Sequence, residues 1–197
     1  PSIRVCDLAF AAPKVLPTLQ GHTDEIPSLT FSKDGTQLAS AIKDQNIRVW
    51  NLSSSDDHRN FADHRGYVWS AIFSPDGKQV ASAGADRSII IRDAATGAVV
   101  KTIEAHGMAV TAVAWSPDST QLASSGGDQA VKLWNAKTGD LVREFKGHTS
   151  AVMALVFSAD GKQILSGGAD KIARLWDAEK GSVIHAFPDV RSPISSV

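Results

Sequence analysis

Apolar residues in this chain come in short runs with regular punctuation. Residues 151–157 read AVMALVF, 163–168 QILSGG, 172–177 IARLWD and 182–187 SVIHAF. Between them stand Ala159-Asp160-Gly161, Ala169-Asp170-Lys171 and Lys180-Gly181. Runs this short, broken by Asp-Gly and Gly-containing turns, read as strand, turn and strand; a helix would spread its apolar positions at a 3.6-residue period. Glycine at the last turn supplies the positive φ of a tight hairpin. The segment is therefore read as four antiparallel strands.

The same unit occurs four times. His22, His64, His106 and His148 are each 42 residues apart, as are Asp44, Asp86, Asp128 and Asp170. Ser40, Ser82, Ser124 and Ser166 keep that step, and so do Trp50, Arg92, Trp134 and Trp176. Turn glycines recur at Gly35 and Gly77 and at Gly97 and Gly139, while Ser119 takes the glycine place in the third copy, which predicts a mildly strained turn. A four-stranded sheet of this length cannot bury both faces alone, but copies stacked around an axis can. Ala39-Ser40, Ala81-Ser82 and Ala123-Ser124 are small enough for strands that crowd toward that axis. The expected fold is all-β: a β-propeller segment of four full four-stranded antiparallel blades plus partial blades at both ends. The expected boundaries are 1–20 for the last two strands of one blade, 21–62, 63–104, 105–146 and 147–187 for whole blades, and 188–197 for the start of the next.

These residues closely resemble the WD-repeat family. Gly21-His22 and Gly147-His148 match its GH, weakened to Asp63-His64 and Ala105-His106. Trp176-Asp177 matches its WD, relaxed to Trp50-Asn51 and Trp134-Asn135, and FSPDG stands at 73–77 with close variants at 31–35, 115–119 and 157–161. The resemblance implies a buried hydrogen-bonded tetrad in each repeat: His22, Ser40, Asp44 and Trp50; His106, Ser124, Asp128 and Trp134; His148, Ser166, Asp170 and Trp176. The chemistry suits it, because the Asp accepts from imidazole, the imidazole engages Ser, and the Ser oxygen takes the indole N–H. The second repeat keeps His64, Ser82 and Asp86 but has Arg92 in place of Trp, with its guanidinium expected outward or toward Asp86. That blade is expected to be locally the least stable.

The resemblance also implies that partners meet the top-face rim. The matching positions here are Glu25, Pro27 and Lys43; Tyr67, Trp69 and Ala85; Ala109, Thr111 and Gly127; Ala151, Met153 and Ala169. Trp50, Trp134 and Trp176 belong to tetrads, and Trp115 shares a core column with Phe31, Phe73 and Phe157. Trp69 is required by no column and lies beside Tyr67, the single tyrosine, so the pair reads as a contact hot spot. The alternative is that Trp69 turns into the central channel and fills space.

Composition narrows the function. Net charge is −1 with scattered Lys and Arg, which gives no electrostatic footprint for nucleic acid. No apolar stretch is long enough to span a bilayer as a helix. With Cys6 alone, no internal disulfide and no cysteine-based zinc site can form. The tetrad histidines fall on different blades, and His58 and His185 stand isolated on outer strands, so no metal and no cofactor is expected. The acidic stretch Ser53 to Asp57 reads as a solvated loop, and no nucleophile elbow or phosphate loop is present. The expected function is a non-catalytic scaffold that binds a protein or peptide on its top face. The alternative is a regulatory or sensory module fused to a catalytic or electron-transfer domain outside the segment. Register places Cys6 at the Trp position of a partial blade, a two-residue insertion within Pro13–Pro17, and Asp189–Val197 over Gly147–Leu155. A longer parent protein is expected, and the segment by itself is expected to self-associate through open blade faces.

Overall fold

The computed structural model describes residues 2–7, 14–16, 18–54, 57–188 and 191–197. Its strands are β1 (Cys6–Asp7), β2 (Lys14–Val15), β3 (Ser28–Phe31), β4 (Gln37–Ala41), β5 (Ile47–Asn51), β6 (His58–Phe61), β7 (Val68–Phe73), β8 (Gln79–Gly84) and β9 (Ser88–Asp93). The chain continues with β10 (Val99–Glu104), β11 (Val110–Trp115), β12 (Gln121–Gly126), β13 (Val131–Asn135), β14 (Leu141–Phe145), β15 (Val152–Phe157), β16 (Gln163–Gly168), β17 (Ala173–Asp177) and β18 (Val183–Phe187). No helix occurs among the described residues.

Four antiparallel sheets result: β3–β6, β7–β10, β11–β14 and β15–β18, each with its strands in chain order. The period decides the register. Ser40 pairs Arg48, Ser82 pairs Ile90, Ser124 pairs Lys132 and Ser166 pairs Arg174, one partner per repeat at the same place. β1 and β2 make a separate two-stranded ribbon, continued by a bridge between Ile3 and Leu19. Part of the Pro13–Pro17 insertion lies outside the described residues, as do Asp189 and Val190.

Apolar burial comes from one sheet leaning on the next. Ala123, Val131, Leu133 and Phe145 of the third sheet pack on Val152, Leu155, Phe157, Ile164 and Trp176 of the fourth. Between the second and third sheets, Ala81, Ile89, Ile91 and Ile103 meet Val110, Val113, Trp115 and Leu122. The ribbon contributes Ile3, Val5 and Leu19 against Leu38 and Trp50 of the first sheet. Neighbouring first strands β3, β7, β11 and β15 contact each other in series, which fans the sheets in the manner of propeller blades. One core assignment fails. Phe31 is exposed although Phe73, Trp115 and Phe157 in its column are buried; among the described residues the cover on the first sheet reaches Leu38 and Trp50 but not β3.

The turns carry a second column that hydrophobicity does not reveal. Gln45, Arg87, Gln129 and Lys171, again one per repeat, all adopt positive φ between 62° and 74°. Each follows the tetrad Asp, and none is glycine. Ser119 also has positive φ, at 61°, in keeping with the strain read from its glycine place.

Candidate partner-binding face and the tetrads beneath it

The third repeat builds its polar cluster in full. Trp134 Nε1 donates to Ser124 Oγ at 2.8 Å, Ser124 Oγ lies 2.7 Å from His106 Nε2, and His106 Nδ1 lies 2.8 Å from Asp128. Asp128 also accepts the Gly107 backbone N–H at 2.9 Å. Every buried polar atom of this chain of groups has a partner. The fourth repeat does the same: Trp176 to Ser166 is 2.7 Å, Ser166 to His148 is 2.8 Å and His148 to Asp170 is 2.9 Å. It adds Arg174, whose Nη1 is 2.6 Å from Asp170. Burial holds the His106 and His148 imidazoles below the ordinary histidine pKa even though Asp128 and Asp170 pull the other way. Both rings are held in the neutral form near pH 7; His106 Nδ1 faces Asp128 alone, whereas His148 Nδ1 is shared between Asp170 and the Arg174 guanidinium, 2.8 Å away.

The second repeat bonds His64 to Ser82 at 2.9 Å and to Asp86 at 3.0 Å. Arg92 departs from expectation: it points neither outward nor at Asp86. Its buried guanidinium pairs with Asp63, donates to the Gly97 carbonyl at 3.1 Å and lies over the Phe61 ring at 4.9 Å. Asp63 fills the place of the GH glycine, so the two departures from the family pattern compensate one another.

The first repeat has all four tetrad residues but makes only two of the three links. Trp50 donates to Ser40 at 3.0 Å and Ser40 meets His22 at 3.1 Å. Asp44, however, is taken by the Thr23 hydroxyl at 2.6 Å and by the Asn46 amide at 2.9 Å, and His22 Nδ1 is buried without a partner among the described residues. The cause sits on β-strand geometry one step away. A Cβ on Gly84 would lie 2.7 Å from His64 Nδ1 and 2.8 Å from Asp86, and one on Gly126 would lie 2.8 Å from His106 Nδ1 and 2.9 Å from Asp128. The first repeat has Ile42, fully buried, at that place, where a side chain in the second and third repeats would crowd the His–Asp contact. Burial first, then the nearby Arg48 cation, lowers His22 to about 4. His58 is not isolated either, since it stacks on Trp50 at 4.6 Å. His185 lies 4.4 Å from Phe187.

Above these clusters the backbone draws the rim positions together in pairs. Lys43 N donates to Glu25 O at 3.1 Å, Ala85 N to Tyr67 O at 2.7 Å, Gly127 N to Ala109 O at 2.9 Å and Ala169 N to Ala151 O at 2.8 Å. Pro27, Trp69, Thr111 and Met153 line one cavity of about 220 Å³ together with Ser195–Val197. Tyr67 is half-exposed and meets Trp69 edge to face at 6.3 Å. Lys43 is ion-paired to Glu25 and its ammonium lies 5.4 Å from the Trp69 ring centre. Trp69 is only partly exposed, lines this cavity, and has its Nε1 buried with no partner among the described residues. Thr111 is tied to Ser125 and to the Val152 carbonyl.

Sequence reasoning passed over Met108, more exposed than Tyr67, whose side chain lies against Gly127. Its signal was available: the equivalent positions are Asp24, Gly66 and Ser150, so an apolar side chain there is exceptional. A larger recess of about 750 Å³ beside the second and third sheets is lined by Asp63, Asp86 and Glu104 with Arg65 and Arg87, charges that largely offset each other.

Repeated four-stranded sheets with a shared polar cluster define a blade-type repeat protein. The WD domain, G-beta repeat family matches residues 13–51, 53–93, 97–135 and 139–177, well over half of the chain, and the chain belongs to that family. It is similar to the target of rapamycin complex subunit wat1 of Schizosaccharomyces pombe, at 31% identity over 68 residues, 34% of this chain and 21% of that protein. F-box/WD repeat-containing protein 5 of Rattus norvegicus is 42% identical over 53 residues, 27% of this chain and 9% of the relative. Coronin-7 of Mus musculus is 44% identical over 54 residues, 27% of this chain and 6% of the relative. The matches thus span about a fifth or less of these relatives' lengths.

Proposed function

We propose that the chain is a non-catalytic scaffold that captures a protein or peptide segment on the rim above its tetrads. The supporting observation is the aromatic pair Tyr67 and Trp69 standing between small neighbours. Ala85, Gly127 and Ala169 keep the rim low around them, Met108 and Met153 extend the apolar surface, and Glu25 with Lys43 gives a polar border. Half-exposed aromatics beside adaptable methionines are the composition of a contact hot spot. Backbone bonds that pin the rim to rigid sheets keep the cost of ordering low on binding. The related complex subunit and F-box/WD protein are multi-part by name, which accords with a binding role.

The test is selection of a displayed peptide library on the intact chain, followed by affinity measurement with Trp69→Ala, Tyr67→Ala and an outer-edge control, Val142→Ala. Selected peptides are expected to bind the two rim variants at least about tenfold more weakly, the loss of a modest hot spot. Equal affinity for all three variants, with folds unchanged by circular dichroism, overturns the reading.

A further inference from the structure

One column of the third strands runs Arg48, Ile90, Lys132 and Arg174, at the same step as the tetrads. Three of its four members are long cations, and each lies near the His–Asp end of its own blade. Arg174 sets Nη1 2.6 Å from Asp170 and 2.8 Å from His148 Nδ1. Lys132 donates from Nζ to the Ala105 carbonyl at 2.8 Å. Arg48 lies over the Trp50 ring at 5.9 Å, with Nη1 close to Gly21.

The second blade breaks the column. Ile90 is buried and brings neither the length nor the charge of its counterparts. It lines the recess of about 750 Å³, together with Asp86, Ser88 and Glu104. All lining residues of that recess fall between Asp63 and His106, within the second blade and the start of the third. The Ser88 hydroxyl donates to Asp86 at 2.8 Å, which replaces the bond that Arg174 gives Asp170 but not its charge. Burial holds His64 below the ordinary histidine pKa, so it brings no charge near pH 7 either. Arg92 is engaged by Asp63 and the Gly97 carbonyl. Asp86 and Glu104 thus have no Lys or Arg partner among the described residues.

We infer that this recess receives one basic side chain of a partner protein, in the place that Lys132 and Arg174 occupy within their own blades. Its cation meets the Asp86 and Glu104 carboxylates, and the main-chain carbonyl of Asp63 is the counterpart of Ala105 O. Arg65 and Arg87 border the same recess, and both are exposed, so water screens them more than it screens the partly buried Asp86. Their charges favour acidic residues on either side of the inserted one. The occupant is therefore an arginine or lysine flanked by acidic residues. A partner protein as the source of that side chain rests on the proposed scaffold role; the recess itself lies apart from the cavity that Trp69 lines.

The probe is the blocked tripeptide Asp-Arg-Asp, with Asp-citrulline-Asp as a neutral control of the same shape, each titrated into the intact chain and followed by NMR. Saturable shifts are expected at His64, Arg65, Arg87 and Ser88 with the arginine peptide, and binding about threefold weaker or more with the citrulline peptide. Ile90→Arg fills the seat from within and is expected to weaken the arginine peptide at least about tenfold, because two cations cannot share it. Glu104→Gln, at an exposed position that leaves the fold intact, is expected to weaken it about two- to fivefold, the worth of an exposed ion pair. Equal binding of the two peptides overturns the inference, as does unchanged affinity in a folded Ile90→Arg or in Glu104→Gln. Absence of any saturable shift overturns it too, and leaves the rim to be judged by its own selected peptides.

Discussion

The first and third blades carry the same four polar letters, yet only the third completes the cluster. His106 reaches Asp128 because the strand beneath them has Gly126, whose missing Cβ leaves room for both side chains. In the first blade a buried Ile42 stands at the glycine's place, Thr23 and Asn46 satisfy Asp44, and His22 keeps one buried nitrogen unpaired. In the second and third blades the glycine two places before the aspartate leaves the room this contact uses. The fourth blade lies at the other extreme, where Arg174 adds a charge-assisted bond to the same carboxylate.

The largest expected contrast is between two aspartates. Asp170→Ala strands Arg174 and His148 without their acceptor and is expected to cost about 3 kcal/mol or more, the penalty of a broken buried pair. Asp44→Ala removes bonds from exposed and half-buried groups and is expected to cost about 1 kcal/mol. Urea unfolding of the two variants measures both, and equal losses would erase the distinction between the blades.

Next in size, Gly126→Ala pushes a methyl between His106 and Asp128 and is expected to cost about 1–3 kcal/mol by leaving a buried partner unpaired. Its His106 resonances should move toward those of His22 in a histidine NMR titration. An undisturbed His106 would show that the Ile42 explanation is wrong.

Acid then sharpens the comparison within one molecule. His22 titrates at about 4 when folded and near 6.5 when unfolded, so the unfolded chain takes up the proton first. Its contribution to stability is whole above pH 6.5 and is lost as pH falls toward 4. The other tetrad histidines are shifted in the same direction, while the depressed aspartates add their losses only below about 3.8. Denaturation midpoints between pH 7 and pH 4 are expected to fall, and His22→Gln should flatten the slope. An unchanged slope would remove His22 from the account.

The smallest effect concerns local protection. Arg92 is buried with both terminal guanidinium nitrogens bonded and only its Nε without a partner among the described residues, whereas the first blade combines a broken tetrad with an exposed first strand, so the missing tryptophan does not by itself make the second blade the weaker. Amide exchange is expected to be faster in β3 and β4 than in β8 and β9. Faster exchange in β8 and β9 would restore the ranking drawn from the missing tryptophan alone.

Much of the fold was legible because a period of 42 residues is visible in any of several columns. Strand, turn and register repeat together, and one reading serves four times. The polar clusters were legible by residue type, but their completeness was not. Whether His22 meets Asp44, and whether Arg92 points at Asp86 or Asp63, depends on which side chains lie nearby in space. The pairing of Glu25 with Lys43, Tyr67 with Ala85, Ala109 with Gly127 and Ala151 with Ala169 follows the period and was legible from it. Trp69's share in the axial cavity was not, since that requires Pro27, Thr111, Met153 and Val197 to converge from residues far apart in the chain.

The sequence by itself determined the repeating four-stranded unit, the place of each turn and the candidates for buried hydrogen bonding, because these follow from short-range alternation and an unbroken spacing. Only the tertiary structure decided which tetrads close and which apolar columns stay open. Both depend on what stands across a blade interface, and a side chain is buried or satisfied by its neighbours in space, whatever its own identity.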